Sequence, residues 1–245
     1  MSYLTYISDE DLTCIVKDVL NVGIARKKEA KTKFTKNVID PFGSLFESAA
    51  FDVDHKIWQE SEMIRQCQKT LQNHIGDLHQ KILGHVAGWE DLGTGSVVDL
   101  INRDKKIIAE VKNKYNTVTG GKLAEQYQSL ERLVMPKASS YKDHTAYFVN
   151  IIPKKPELYN NTFEPSDKDK GTKCSKNEQI RIIDGNSFYA LVTGQKTALE
   201  DLYNALPKVI EDIFEHSYGK TGFKIHDKTM FAEYFRLAYK TDNHN

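Results

Sequence analysis

Asp99, Glu110 and Lys112 are the side chains of this sequence best spaced to do chemistry together. They fall in SVVDLINRDKKIIAEVK, Ser96 to Lys112, where apolar runs at 97–101 and 107–111 flank a charged turn, Asn102 to Lys106. Apolar β-branched runs of strand length around such a turn predict a β-hairpin. With Asp104 and Lys105 as the turn, Asp99 falls opposite Glu110. Side chains alternate faces along a strand. Ile108, Glu110 and Lys112 therefore share a face with Val97, Asp99 and Ile101, and Val98, Leu100, Ile107, Ala109 and Val111 share the other. One face can pack into a core, while the other gathers two carboxylates and an ammonium. Directly opposed like charges are destabilising, and a cation between them relieves the repulsion. A hard divalent ion such as Mg²⁺ takes one or two carboxylates together with phosphate oxygens and water. Lys112 would then position an attacking water or stabilise charge developing on a phosphate.

Other acid-x-lysine triplets occur, namely Glu29-Ala30-Lys31, Asp54-His55-Lys56 and Asp104-Lys105-Lys106. None lies inside an apolar β run, as Glu110-Val111-Lys112 does, and that context separates it from the background of a chain that is 28% charged.

The elements that must hold the hairpin are legible on either side. Ser8 with Asp9, Glu10 and Asp11 marks a helix start, followed by Leu12, Ile15, Val16, Val19 and Leu20 at helical spacing. The basic run from Arg26 to Lys36 is either a solvated helix face or a phosphate contact. Asp40-Pro41 breaks the helix, and PFGSLFESAAF is expected to form a short packed one. A long helix is expected from His55 to Leu83, with Ile57, Ile64, Leu71, Ile75, Leu78 and Ile82 as its inward stripe. Asp77 lies on a polar line beside that stripe. Trp89 to Gly95 is a glycine-punctuated turn leading to the hairpin.

Beyond Lys112, the polar residues Asn113, Lys114, Asn116 and Thr117, and then Lys122 after a Gly-Gly pair, stand where backbone phosphates would pass. A helix from Lys122 to Val134 turns Leu123, Tyr127 and Leu130 inward, and Thr145 to Ile152 is a central strand. Residues 153–179 lack periodicity; Lys154 and Lys155 open a segment that either orders on DNA or is a surface insertion. Ile180 to Ile183 is a strand that turns at Asp184-Gly185 into a helix. A further helix follows, which Pro207 should kink or divide. The final helix, Lys228 to Tyr239, sets Phe231, Tyr234, Phe235 and Ala238 on one face as core or dimer surface.

With 245 residues the chain can bury one sizeable core. The reading is one elaborated domain: an N-terminal helical part (1–52), a catalytic core (53–194, with the long loop 153–179) and C-terminal helices (195–245). Lysine and arginine total 34 against 34 acids, which argues against a histone-like basic binder. Three scattered cysteines form neither a zinc spacing nor a disulfide framework, and no secretory leader or membrane-length apolar run is present, so a cytoplasmic protein is expected. The eight histidines do not cluster, and the glycines do not open a helix after a strand, which excludes P-loop and Rossmann readings.

The spacing of Asp99, ten residues, then Glu110-Val111-Lys112 resembles the PD-(D/E)XK nuclease motif, with Val98 where that motif usually has proline. The order strand, strand, helix, strand matches the superfamily's αβββαβ core with its first meander strand unplaced. The resemblance thus implies an α/β (α+β) fold, a mixed central sheet flanked by helices, with additional N- and C-terminal helices. Four blocks resemble one family of type II restriction endonucleases: LQNHIGDLHQKILG, GSVVDLINRDKKIIAEVKNKYNT, VNIIPKKP and RIIDGNSFYALVTG. That resemblance implies Mg²⁺-dependent, sequence-specific hydrolysis of double-stranded DNA at GGNCC-type sites. Asp99 and Glu110 would ligate Mg²⁺ with the Val111 carbonyl, and Asp77 would add a ligand from the preceding helix. Asn113, Lys114, Asn116, Thr117, Lys122, Lys154 and Lys155 would contact DNA. A near-palindromic target implies a homodimer, and a cognate DNA methyltransferase would protect host DNA without needing to bind. The competing classes are a structure-selective or repair nuclease of the same fold, and a DNA-binding protein with a decayed site.

Overall fold

The computed structural model describes residues 2–93 and 95–239, so Thr94 of the turn before the hairpin lies outside the described residues. The chain divides into two compact units, residues 16–78 and residues 1–15 with 79–245.

The smaller unit holds most of α1 (Asp9–Lys33), all of α2 (Pro41–Ala50) and the greater part of α3 (His55–Gly84). α2 starts as its sequence dictates: Pro41 occupies the first turn and the Asp40 carboxylate accepts from Phe42 N and Gly43 N. Contrary to the expectation of a packed helix, α2 buries none of its residues, and Phe42, Leu45 and Phe46 are exposed. The stripe expected on α3 also fails in its first half, where Ile57 and Ile64 are exposed. Trp58 turns inward instead, edge-on to Phe34, with its indole N–H donating to Glu47 at 2.9 Å. The indole brings more apolar area than an isoleucine and a donor that must be satisfied once buried.

The larger unit is built on a mixed sheet. Its strands are β1 (Glu90–Asp91), β2 (Leu100–Asn102), β3 (Ile107–Lys114), β4 (Thr145–Ile152), β5 (Asn160–Thr162) and β8 (Ile180–Asp184), in the order β1-β2-β3-β4-β8-β5. β1, β2 and β3 form an antiparallel meander; β4 lies parallel to β3 and β8 parallel to β4. α4 (Leu123–Val134) makes the crossover from β3 to β4 that parallel neighbours require. It packs Tyr127, Leu130 and Val134 against Ile101, Ile108, Ala146, Phe148 and Ile180. The opposite face buries Leu100, Ala109, Val149 and Ile151, with Phe188 of α5 (Gly185–Thr193) against Trp89 and Tyr147. The central strands are thus covered on both faces. The missing meander strand is β1, and the segment expected to be turn supplies it.

The 153–179 segment is not a structureless loop. β5 returns antiparallel to β8, and β6 (Ser166–Asp167) pairs with β7 (Thr172–Lys173) in a small ribbon. Its anchor is Phe163, 3% exposed and stacked on Phe148 at 4.9 Å, helped by the Tyr127 hydroxyl donating to Ser175 O.

β8 passes into α5 at Asp184, whose carboxylate accepts from Ser187 N as an N-cap. Gly185 is required by packing, because a Cβ there would lie 2.2 Å from the Ile151 carbonyl oxygen. Pro207 does not divide α6 (Ala198–His216); the buried face of Leu199, Leu202, Val209 and Ile213 carries the helix past the missing N–H.

α7 (Lys228–Ala238) is tied to α6 by Glu211, which receives Lys228 Nζ at 2.7 Å, Lys224 Nζ at 3.1 Å and Ile225 N at 3.1 Å. The Lys228 hydrogen bond, then those of Ile225 and Lys224, hold the Glu211 carboxyl down at about 2. A pKa depressed in the fold contributes stability above the unfolded value, lost as pH falls towards the folded one. Glu211→Gln is therefore expected to raise hydrogen exchange across residues 224–238 at neutral pH; unchanged protection there would contradict this role.

Candidate active site

The β2–β3 pairing has the predicted register, Leu100 with Ala109, Ile101 with Ile108 and Asn102 with Ile107. The connection is the four residues Arg103 to Lys106 rather than two. The Asn102 side chain accepts from Lys105 N at 2.8 Å, and Lys106 takes a left-handed φ of 52°.

The ladder stops at Leu100, one residue short of Asp99, which precedes it, so the expected strand through Val97 and Val98 is not formed. Asp99 N donates to Ala109 O, and Asp99 O accepts from Leu92 N. Its carboxylate accepts from Val111 N at 2.6 Å, replacing the backbone acceptor that a longer β2 would supply. This capping brings the carboxylate to the sheet edge beside Glu110 and Val111. Strict alternation stops at the same point. Val98, expected on the Leu100 face, joins Ile101 and Ile108 in the α4-side core, and Val97 is exposed.

Glu110 and Lys112 keep their predicted common face on β3, and the Lys112 ammonium pairs with Glu110 Oε1. Glu110's carboxyl is raised above the ordinary carboxylate range, chiefly by burial and next by the charge of Asp99, with Lys112 opposing both. The three predicted residues therefore meet where β2 ends and β3 continues.

Lateral pairing extends this face. In the parallel ladder Glu110 pairs with Phe148 and Lys112 with Asn150, and these pair in turn with Ile182 and Asp184. One strand over, a cavity of about 390 Å³ is lined by Phe148 and Asn150, the ladder partners of Glu110 and Lys112, with Tyr115, Lys154, Lys155 and Tyr159 among others. Of the expected DNA contacts, Lys154 and Lys155 lie at this cavity. Lys114, paired with Ile152, shares the C-terminal edge of the same parallel strands. Asn116, Thr117 and Lys122 are exposed beyond that edge, and the Thr117 hydroxyl accepts from Lys114 N in the turn. Asn113 is half-buried, its amide oxygen buried without a hydrogen bond.

Asp77 is exposed on α3, its carboxylate 3.6 Å from His74 Nδ1. Among the described residues no three His, Cys, Asp or Glu side chains gather as a metal cluster. Glu90 and Asp91 have structural partners: Glu90 meets Arg103 at 3.2 Å, and Asp91 accepts from Gln80 and Gly93. Sequence reasoning missed Asn150 and Tyr159; only the parallel pairing of β4 with β3 reveals that Asn150 adjoins Lys112.

A mixed sheet of this order, flanked by helices, is a restriction-endonuclease fold, and the acid-acid-lysine constellation on its hairpin matches that class. The family model for Eco47II restriction endonuclease matches residues 4–215. The Type II restriction enzyme Eco47II of Escherichia coli is 57% identical over 239 residues, 98% of this chain and 100% of that protein. The Type II restriction enzyme Sau96I of Staphylococcus aureus is 31% identical over 240 residues, 96% of this chain and 89% of that one. The chain belongs to the Eco47II restriction endonuclease family, and is a type II site-specific endonuclease acting on double-stranded DNA. Enzymes of this type generally need a divalent metal. No helix among the described residues is long and apolar enough to cross a membrane.

Proposed function

We propose that this endonuclease cuts duplex DNA at GGNCC-type sequences with Mg²⁺ held by Asp99 and Glu110. The observation that carries the reading is the convergence of these two carboxylates with the Lys112 ammonium at the end of the β2–β3 ladder. The donor set fits the ion: two hard carboxylates, one of them raised in pKa first by burial and next by the other's charge, the second of which a cation relieves. Val111 adds a backbone donor. Its N–H points to the Asp99 edge, and the C=O of a strand residue leaves on the same edge, where β2 no longer pairs. Bound there, Mg²⁺ would neutralise charge building on the phosphate and acidify the attacking water. Lys112 would orient that water and stabilise the same charge.

Lys114, Lys122, Lys154 and Lys155, with Asn113, Asn116 and Thr117, would track the backbone past the site. The target rests on the likeness of the four sequence blocks to enzymes with GGNCC-type sites. Its two-fold symmetry favours a homodimer, to which the exposed Phe231, Tyr234 and Leu237 of α7 contribute apolar surface. The enzyme works in the cytoplasm as one elaborated nuclease domain, beside a methyltransferase that marks host DNA.

A digest of a mixed-sequence plasmid with and without Mg²⁺ tests the reading. Discrete Mg²⁺-dependent bands are expected; a smear, or cutting confined to branched substrates, would assign a structure-selective nuclease. Binding should also weaken steeply with salt despite the neutral total charge, with a log–log slope of about −0.9 for each phosphate neutralised. Changing Lys114, Lys122, Lys154 and Lys155 to Ala should flatten that slope, and an unaltered slope would move the DNA path elsewhere. Light scattering should give a dimer, and a monomer both free and on DNA would remove the symmetry argument.

A further inference from the structure

Asn150 sits on the rung beside Lys112, on the same sheet face, with neighbouring strands about 4.8 Å apart. It is 5% exposed, and its amide oxygen is buried without a hydrogen-bond partner. The amide is held from its other end. Nδ2 donates to the Tyr159 hydroxyl at 3.2 Å, and Tyr159 is fixed by its N–H to the Asp184 carboxylate at 2.7 Å. A buried acceptor left open costs stability, so a pinned one calls for a reason.

The reason lies one strand away. Lys112 occupies Glu110 Oε1, an oxygen that a cation at Glu110 would compete for. An ammonium displaced from Glu110 would be stranded at a half-buried site unless another acceptor lies within its reach. Asn150 Oδ1 is neutral, buried and on the same rung of the adjacent strand. Lys154 and Lys155 line the same cavity, but both are exposed and reach solvent without it. We propose that Asn150 is a positioning residue for Lys112: its amide oxygen receives the Lys112 ammonium when Glu110 turns to a divalent cation. The exchange frees a carboxylate oxygen for the ion and keeps Lys112 at the site's edge, directed by one fixed acceptor. This rests on the reading of Asp99 and Glu110 as cation ligands.

The test is a double-mutant cycle read by Mn²⁺ binding, followed from the electron paramagnetic resonance of free Mn²⁺. In the wild-type background Asn150→Leu is expected to weaken Mn²⁺ binding about fivefold or more, because Lys112 stays on Glu110 and competes. In a Lys112→Ala background the same change should have no effect, since there is no ammonium to relocate. Tyr159→Phe leaves the core intact and unpins the amide, so it should give a smaller loss, again only when Lys112 is present; it decides the matter if Asn150→Leu does not fold. Equal losses in both backgrounds, or none in either, would overturn the inference while leaving the cation site standing. No Mn²⁺ uptake by the wild type, at concentrations that support cleavage, would remove the cation site and the inference with it.

Discussion

Lys112→Ala is expected to abolish nearly all cleavage and to leave specific DNA binding largely intact. Lys112 shares a strand face with Glu110 at the expected scissile phosphate, and its ammonium is a half-buried cation within a site of two carboxylates. A charge that develops on the phosphate only as the bond breaks would be stabilised by Lys112 more in the transition state than in the bound complex. Its loss therefore appears in the rate rather than in affinity. Removing one such electrostatic group typically costs about 10²–10³-fold, and the loss of water positioning adds to that. Single-turnover cleavage, with binding measured in parallel by fluorescence anisotropy, separates the two quantities. If the variant cleaved at near wild-type rate while melting several degrees lower, the hairpin would be scaffold.

Glu110→Gln is expected to lose activity to a similar degree, through the proposed cation rather than the phosphate, and its metal-free form should be as stable as the wild type or more so. Burial, then Asp99, raises the Glu110 carboxyl in the fold, with the Lys112 attraction already counted against that rise. A pKa raised by folding favours the protonated form. Its stabilising contribution is complete below the unfolded carboxyl's pKa and is lost as pH rises through the folded one. At neutral pH the ionised Glu110 therefore opposes folding, and glutamine, which mimics the protonated acid, does not. Thermal melting without metal should show the variant at or above the wild-type midpoint at pH 7, with the difference shrinking under acid conditions. Adding Mg²⁺ should raise the wild-type midpoint and leave the variant's nearly unmoved, because only a state that binds the ion gains from it. A variant midpoint well below wild type without metal would mean that Glu110 serves as a structural ion-pair partner.

The hairpin that carries Asp99, Glu110 and Lys112 is legible because local signals agree there. β-Branched runs, a charged turn and period-two spacing together specify the register that pairs Leu100 with Ala109. α4 and the Asp184-Gly185 junction were legible for the same reason: apolar spacing in one, a capping carboxylate and an obligatory glycine in the other. β1 was not, since a two-residue strand has no period to read. The polar 153–179 segment hides its strands likewise, and only Phe163, packed on Phe148, reveals that it is anchored. Val98 takes the face opposite to the one alternation predicts, because alternation holds only while the ladder lasts, and Asp99 ends the ladder by capping Val111. Asn150 was invisible as a neighbour of Lys112 because parallel pairing across a helical crossover leaves no local trace.

The most direct measurement is the sequencing of fragment ends from a mixed-sequence plasmid, digested in Mg²⁺ by the wild type and by Lys112→Ala under identical conditions. The wild-type ends should all map to one GGNCC-type, two-fold symmetric sequence, cut at the same position on both strands, and Lys112→Ala should leave the plasmid almost uncut. Ends scattered over unrelated sequences, or the same set of ends produced by Lys112→Ala at a comparable rate, would contradict a sequence-specific nuclease whose chemistry is carried by Asp99, Glu110 and Lys112.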